Sequence, residues 1–392
     1  MNRAVLEEFE QQYSRQAERL FFAPGRINVI GEHTDYNGGF VFPCAITNGT
    51  YAAAAGRNDR QLRLVSGNFL DKGVIALPLD DLSFQPEDDW ANYPKGVFAV
   101  LAAEGYYPET GYDIYFSGNI PNGAGLSSSA SIELATAVLL NECEGWGLSM
   151  KTLVQYAQQV ENKYIGVQTG IMDQFAIGFG KDGHAMLLDC ASLEYDYAPL
   201  PTKKYTILIM NTNKSRELAG SAYNERRAEC EEALAEMQQH RPITGLCELS
   251  VEEWNQLSHE INNETVRKRA RHVIYEHDRT KQAVEMLKAE NYEAFGRLLN
   301  ESHRSLKEDY EVTGLELDTL AETAQQQPGV IGARMTGAGF GGCAIAFVEH
   351  DQAEEAEKII AAVYEKETGR KASFYKAAAG GGARELAGAG QK

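Results

Sequence analysis

Fourteen residues near the N-terminus, PGRINVIGEHTDYN, gather Arg26, Glu32, His33, Asp35 and Asn37 between strand-like segments. Charges this dense beside Val29 and Ile30 are costly to bury unless they are paired. Fixed carboxylates and amides at this spacing suit a polyhydroxyl ligand, because each Asp or Glu accepts two hydroxyl bonds. A solvated surface loop is the other reading, and these residues alone do not separate the two.

A second candidate is PNGAGLSSSAS at 121–131, which follows a strand pattern and opens a helical one. Gly123 and Gly125 remove Cβ atoms where a backbone must curl close to a ligand. Ser127, Ser128 and Ser129 place hydroxyls and amides at a helix N-terminus, where the first four N–H groups lack intrahelical partners. With the macrodipole, those donors form a phosphate cradle that needs few basic side chains. A serine N-cap after an ordinary loop also accounts for the glycines; three serines in a row before a small residue favour the cradle. No Lys stands where G-x-x-x-x-G-K-[ST] requires one, and no G-x-S-x-G elbow exists.

Two carboxylates complete the set. Glu161 sits near the end of one helical stretch, and Asp173 lies in GIMDQF at the start of the next, among Ile171, Met172 and Phe175. Asp173 could serve as a general base with a cation beside it, or simply cap its helix, the commoner use of such a residue. Glu161 could join Ser129 in holding Mg²⁺, which takes oxygen ligands and keeps waters. MTGAGFGGC at 335–343 contains a formal G-x-G-x-x-G at Gly337, Gly339 and Gly342, but a strand-like CAIAFV follows it where a dinucleotide site needs a helix. That excludes an NAD site; the loop is expected to bring backbone close to a substrate or to another lobe.

The elements that must position these residues follow from the patterning of all 392 residues. A helix is predicted within the first twenty residues, short strands over 20–84, a helix over 92–104, a strand over 112–118, and helices over 127–142 and 152–164. Strands return at HAMLLDC and YTILIMNT, residues 215–327 read as almost wholly helical, and a helix at 352–367 precedes a strand near 373–375. A boundary near 199–204 divides a first lobe (1–198) from a second (199–376), with 377–392 expected to be a flexible tail. The charge balance, 37 Lys and Arg against 56 Asp and Glu, leaves −19. That excludes a broad grip on nucleic acid or on an acidic membrane, while leaving a small phosphate ligand possible. Six scattered cysteines with no C-x-x-C fit reduced thiols, and no stretch approaches ~18 apolar residues. A cytoplasmic protein is expected.

Three of these segments carry a family resemblance. APGRINVIGEHTDYNGG closely resembles the galactokinase signature. PNGAGLSSSAS resembles the nucleotide loop shared by galacto-, homoserine, mevalonate and phosphomevalonate (GHMP) kinases, and MTGAGFGGC resembles that superfamily's third motif. GIMDQF, SAYNERR (221–227) and ESHRSL (301–306) also look galactokinase-like. The resemblance implies an α+β, two-lobed GHMP-kinase fold, with a ribosomal-protein-S5-like βαβ arrangement in the first lobe and the active site in the inter-lobe cleft. It implies transfer of a phosphoryl group from ATP to the C1 hydroxyl of α-D-galactose, with Mg²⁺. Carried over residue by residue, Asp173 matches the general base, and Arg26 the arginine that keeps it ionised and offsets transition-state charge. Glu32, His33, Thr34, Asp35 and Tyr223 match sugar contacts, and Gly170 a backbone contact. Gly123, Ala124, Gly125, Leu126, Ser127, Ser128 and Ser129 match the ATP phosphate loop, and Ser129 and Glu161 the Mg²⁺ ligands. Ile27 and Val29 replace Val and Leu of many relatives without altering the apolar pattern. A monomer acting on small molecules is expected. A neighbouring sugar specificity stays open, while the intact serines argue against a non-catalytic sugar sensor.

Overall fold

The computed structural model describes residues 2–120, 125–214 and 219–386. Its largest sheet runs in the order Arg384–Leu386, Arg19–Asn28, Pro43–Gly56, Tyr112–Gly118, Gln61–Ser66, Ile75–Pro78. Side chains of successive strand residues point to opposite faces, and here both faces are covered. Phe21, Ala52, Leu64 and Phe116 pack on one side against Leu134 and Val138 of helix Ser128–Glu144 and Phe175 of helix Met172–Gly178. Their neighbours Leu20, Ala53, Val65 and Tyr115 meet Val5, Phe9 and Tyr13 of helix Asn2–Tyr13 on the other. Double coverage explains the unbroken apolar run Ala52–Ala55. Strands Gln61–Ser66 and Tyr112–Gly118 are parallel, with helix Asn92–Ala103 in the crossover between them, which makes the βαβ element.

A second, four-stranded antiparallel sheet has the order Val330–Thr336, Cys343–Glu349, Tyr205–Asn211, Ser373–Ala377. The long helix Glu264–Lys288, capped by Asn263 on the Thr265 amide, packs with helix Tyr292–Ser305 beside it. Phe40–Val41, His184–Asp189 and Tyr195–Pro199 form a small third sheet. The chain passes from this sheet to the four-stranded one across residues 200–204, yet the apolar interior does not divide there. Ile27, Val29 and Phe42 share one cluster with Ile207, Ile345, Phe347 and Val284. Among the described residues, no helix is long and apolar enough to cross a membrane.

The expected flexible tail is corrected over 377–386. Leu386 pairs with Leu20 and Arg384 with Phe22, extending the first sheet at its edge. Gly382 N donates to Gly180 O and Ala383 N to Ile177 O, each at 2.9 Å. Their small side chains let this backbone lie directly on the end of helix Met172–Gly178, and Arg19 Nε holds Glu385 Oε1 at 2.7 Å. Residues 387–392 lie outside the described residues.

Candidate active site

A cavity of about 280 Å³ opens where the two lobes meet, lined by Arg26, Glu32, His33 and Asp35 together with Gly170, Asp173, Tyr223 and Gly337. The segment at 24–37 is therefore not a solvated loop: Arg26, Glu32, His33 and Thr34 are all buried. Local backbone explains how Arg26 gets there. Pro24 lacks an N–H for the ladder, and the register with strand Pro43–Gly56 shifts between Pro24 and Arg26.

Arg26 grips Asp173 with two bonds, Nε to Oδ1 at 2.8 Å and Nη2 to Oδ2 at 2.7 Å. Its Nη1 donates to Gly125 O at 2.8 Å, and its backbone N donates to Leu126 O at 3.2 Å. One residue thus ties the carboxylate to the serine loop. Asp173 occupies the first turn of its helix but does not cap it; its oxygens point to Arg26 and to the Ser127 hydroxyl, which donates to Oδ2. Ser127 stands at the N-cap position, yet its side chain does not cap the helix. It sits at φ 59°, in the left-handed region, with no capping bond, and the helix begins at Ser128.

On the opposite wall, Glu32 accepts from Gly337 N at 2.6 Å and from Asn28 Nδ2 at 2.5 Å. Burial pushes its carboxyl up to about 7, against the pull of the nearby Arg334 guanidinium. Asp35 lies against Gly170, where a Cβ would stand 1.8 Å from its Oδ2. Burial and then the charge of Asp173 push Asp35 up to about 6. The His33 ring packs near Tyr223, with centroids 5.7 Å apart. Thr34 is not brought to the cavity: its buried hydroxyl lies 2.9 Å from Gly31 O and 2.7 Å from Phe40 O, and shapes the turn.

Ser129 Oγ donates to Glu161 Oε1 at 2.7 Å, and Thr169 Oγ1 to Oε2 at 2.8 Å. Burial, followed by the Asp173 charge, raises the Glu161 carboxyl. An all-oxygen donor set beside the Asp173 carboxylate fits a hard divalent cation. Ser128 and Ser129 also edge a second cavity, about 270 Å³, whose walls include Thr50, Asn68, Trp90, Tyr93 and Ile132. Gly123 and Ala124 lie outside the described residues. The third glycine loop, in the second lobe, comes close to the first: at Gly337, φ 85°, a Cβ would lie 3.4 Å from Gly125 O.

Several residues escaped the sequence reading. The walls of the second cavity are scattered over separate elements and carry no shared motif. Glu133, one turn beyond Ser129, is completely buried with neither oxygen hydrogen-bonded, and burial drives its carboxyl well up. Arg334 and Glu276, also wholly buried, stand behind Glu32. Among the described residues, His303, Asp318 and Glu322 come close enough together to suggest a metal site elsewhere. Lys307 already serves as their cation, with Nζ 2.5 Å from Glu322 Oε1 and 3.5 Å from Asp318 Oδ2.

Comparison with known proteins decides among the chemistries this cleft could host. Residues 7–56 match the galactokinase galactose-binding signature, 92–181 the GHMP kinases N terminal domain and 283–366 the GHMP kinases C terminal domain. A galactokinase of Exiguobacterium sibiricum is 58% identical over 378 residues, 96% of each chain. One from Streptococcus thermophilus is 53% identical over 98% of this chain and 100% of its own. The chain belongs to the galactokinase family of GHMP kinases. As such it is an ATP-dependent sugar kinase. The crystal structure of Lactococcus lactis galactokinase complexed with galactose superposes with a TM-score of 0.95 at 50% identity, covering 98% of this chain and 100% of that one. A mevalonate kinase of Methanococcus jannaschii, at 19% identity and a TM-score of 0.65, shares the fold.

Proposed function

We propose that this galactokinase-family chain transfers the γ-phosphoryl group of ATP to the C1 hydroxyl of α-D-galactose, giving galactose 1-phosphate and ADP. The observation that carries the reading is the bidentate Arg26–Asp173 pair, set between the lobe-interface cavity and the mouth of helix Ser128–Glu144. Glu32, His33, Asp35 and Tyr223 bind the sugar, Gly170 presents backbone to it, and Thr34 shapes the loop that holds them. Residues 123–129 seat the triphosphate, and the cavity beside Ser128 and Ser129 receives the nucleoside.

Phosphoryl transfer asks little covalent chemistry of the protein, so placement and charge carry the rate. The sugar oxygen forms its bond to the γ-phosphorus as the bond to ADP breaks. An alcohol holds its proton far more tightly than a carboxylic acid does, so the proton passes to Asp173 late, as the new bond forms. Arg26 fixes the plane of that carboxylate. Through Gly125 O it also keeps the base in register with the phosphate loop, and its charge offsets the charge that spreads over the transferring group. Ser129 and Glu161 would hold Mg²⁺, which would neutralise phosphate charge. We read the chain as a cytoplasmic monomer of two lobes meeting near 199–204.

An ADP-release assay with galactose, glucose and N-acetylgalactosamine tests this. Rapid ADP release with galactose and little with the other two is expected. Equal turnover of glucose, or ADP release that ignores sugar, would overturn it.

A further inference from the structure

His33 reaches the cavity with its ring held from one edge. Its Nδ1 lies 2.8 Å from Tyr36 Oη, that hydroxyl lies 2.7 Å from Tyr310 Oη, and the Tyr310 hydroxyl lies 3.1 Å from Cys230 Sγ. On the other edge Nε2 is buried and makes no hydrogen bond of standard geometry, although the Ala338 backbone acts on the ring. The backbone is strained to put it there: His33 has φ 63°, in the left-handed region. The ring packs on Tyr310, centroids 4.6 Å apart, so it cannot turn freely. Burial keeps the imidazole neutral by pushing it down to about 3. A neutral ring has one proton, and the relay decides which nitrogen carries it.

Each hydroxyl in the relay has a single hydrogen, so its protons run in one direction or the other. In one order Nδ1–H donates to Tyr36, Tyr36 to Tyr310, and Tyr310 to the sulfur. In the other the thiol donates to Tyr310, Tyr310 to Tyr36, and Tyr36 to a bare Nδ1. Both orders contain one weak bond to sulfur. They differ at the imidazole end, where the ring nitrogen is the best base in the chain and a phenol is a better donor to it than N–H is to a phenol oxygen. The second order is favoured.

We propose that Tyr36 and Tyr310 are positioning residues that lock His33 in its Nε2–H tautomer, so that His33 meets the sugar as a hydrogen-bond donor. The second half rests on reading this cavity as the sugar site. The lock divides recognition by chemistry. Glu32 and Asp35 accept hydrogens from the sugar, whereas His33 requires a sugar oxygen that accepts one. A ligand is selected for presenting an acceptor beside donors, which a neutral ring of mixed tautomers would not enforce. Such a ring would also have to pay a reordering penalty on binding.

The test is the tautomer itself, read from long-range ¹H–¹⁵N correlations in the full chain labelled with ¹⁵N-histidine. His33 is assigned by its loss in His33→Gln. The expected result is a protonated Nε2 and a bare Nδ1 without sugar, both retained and Nε2–H shifted when galactose is added. Tyr36→Phe should yield a mixture of tautomers and raise the galactose KM by about tenfold, with kcat and the ATP KM little changed. Tyr310→Phe, which leaves the Tyr36 hydroxyl in place, should do less of both. A protonated Nδ1 in the unaltered protein overturns the proposal even if neither variant folds. So does a tautomer unmoved in a folded Tyr36→Phe protein, since a raised KM would then reflect packing. An intact Nε2–H tautomer that ignores galactose would instead refute the sugar-site reading, and with it the donor role.

Discussion

Arg334 Nη1 stands 3.0 Å from Glu32 Oε2, and the two side chains are 0% and 1% exposed. The same nitrogen lies 3.2 Å from the carbonyls of Asn28 and Val29, while Nε donates to Ser302 Oγ at 3.1 Å. Arg334 rises from strand Val330–Thr336 of the second sheet, and Asn28 ends a strand of the first. A single guanidinium therefore balances a cavity carboxylate and braces one lobe on the other. Glu276 Oε1, 3.7 Å from Nη2, balances it in turn, and Arg279 pairs with Glu276 from the same helix.

Removing that cation strands the Glu32 carboxylate in the interior, while Glu276 keeps Arg279. Arg334→Met should destabilise the protein by about 3–5 kcal/mol, the range for breaking a buried pair from one side. Urea unfolding followed by circular dichroism measures it. Adding Glu32→Gln to the methionine variant removes the stranded charge and should recover part of the loss. Strictly additive losses in the double variant would show that the two residues are not coupled.

Asp173→Asn keeps the size of the side chain and one acceptor oxygen but removes the proton acceptor. Its kcat should fall by ~10²-fold or more if proton transfer to this residue matters. The circular dichroism spectrum should stay unchanged, because Asp173 is 27% exposed and closes no core contact that Asn would break. Near-normal turnover would take Asp173 out of the chemistry and leave it as a partner of Arg26.

Gly170→Ala tests a close approach. The added Cβ would sit 1.8 Å from Asp35 Oδ2, so the carboxylate must swing away from its place on the cavity wall. The galactose KM should rise about tenfold, equivalent to about 1.4 kcal/mol, with the ATP KM little altered. Initial-rate kinetics with each substrate varied in turn measure the split. A parallel rise in both constants would point to a distorted cleft instead of a displaced Asp35.

These sites differ in how far local sequence exposes them. The dense charges at 24–37 and the serine loop stand out because their residue types are unusual beside apolar neighbours. Ser127 was legible as a loop residue, but its acceptor Asp173 lies 46 positions along the chain, and only the fold brings the hydroxyl there. Arg334 reads as one charge at the end of an apolar strand; its meaning depends on Glu32 and Glu276 arriving from elsewhere. The walls of the second cavity, Thr50, Trp90 and Ile132 among them, read as ordinary core because each comes from a different element. The stretch 377–386 misled through composition. Small residues suggest fraying, yet their lack of bulk is what lets this backbone pair with strand Arg19–Asn28.

The two raised carboxyls that line the lobe-interface cavity, Glu32 and Asp35, predict opposite pH trends for binding and folding. Burial lifts Glu32 from 4.5 to about 7, and burial with the Asp173 charge lifts Asp35 from 3.8 to about 6. Only the ionised forms offer every oxygen lone pair to sugar hydroxyls, so galactose should bind better as pH rises through about 6 and then about 7. Folding runs the other way. A carboxyl whose folded value exceeds its unfolded one contributes stability fully below the unfolded value, and that contribution is lost as pH rises through the folded value. The contribution of these two groups should therefore fall across the window in which sugar affinity grows. Glu32→Gln cannot ionise, so its kcat/KM for galactose should lose the step near pH 7, and its unfolding free energy should decline less over the same interval. Measuring both quantities against pH in the two proteins separates the effects. A pH-independent kcat/KM in the unaltered protein, or a step near 7 that survives Glu32→Gln, would show that Glu32 does not titrate where sugar is bound.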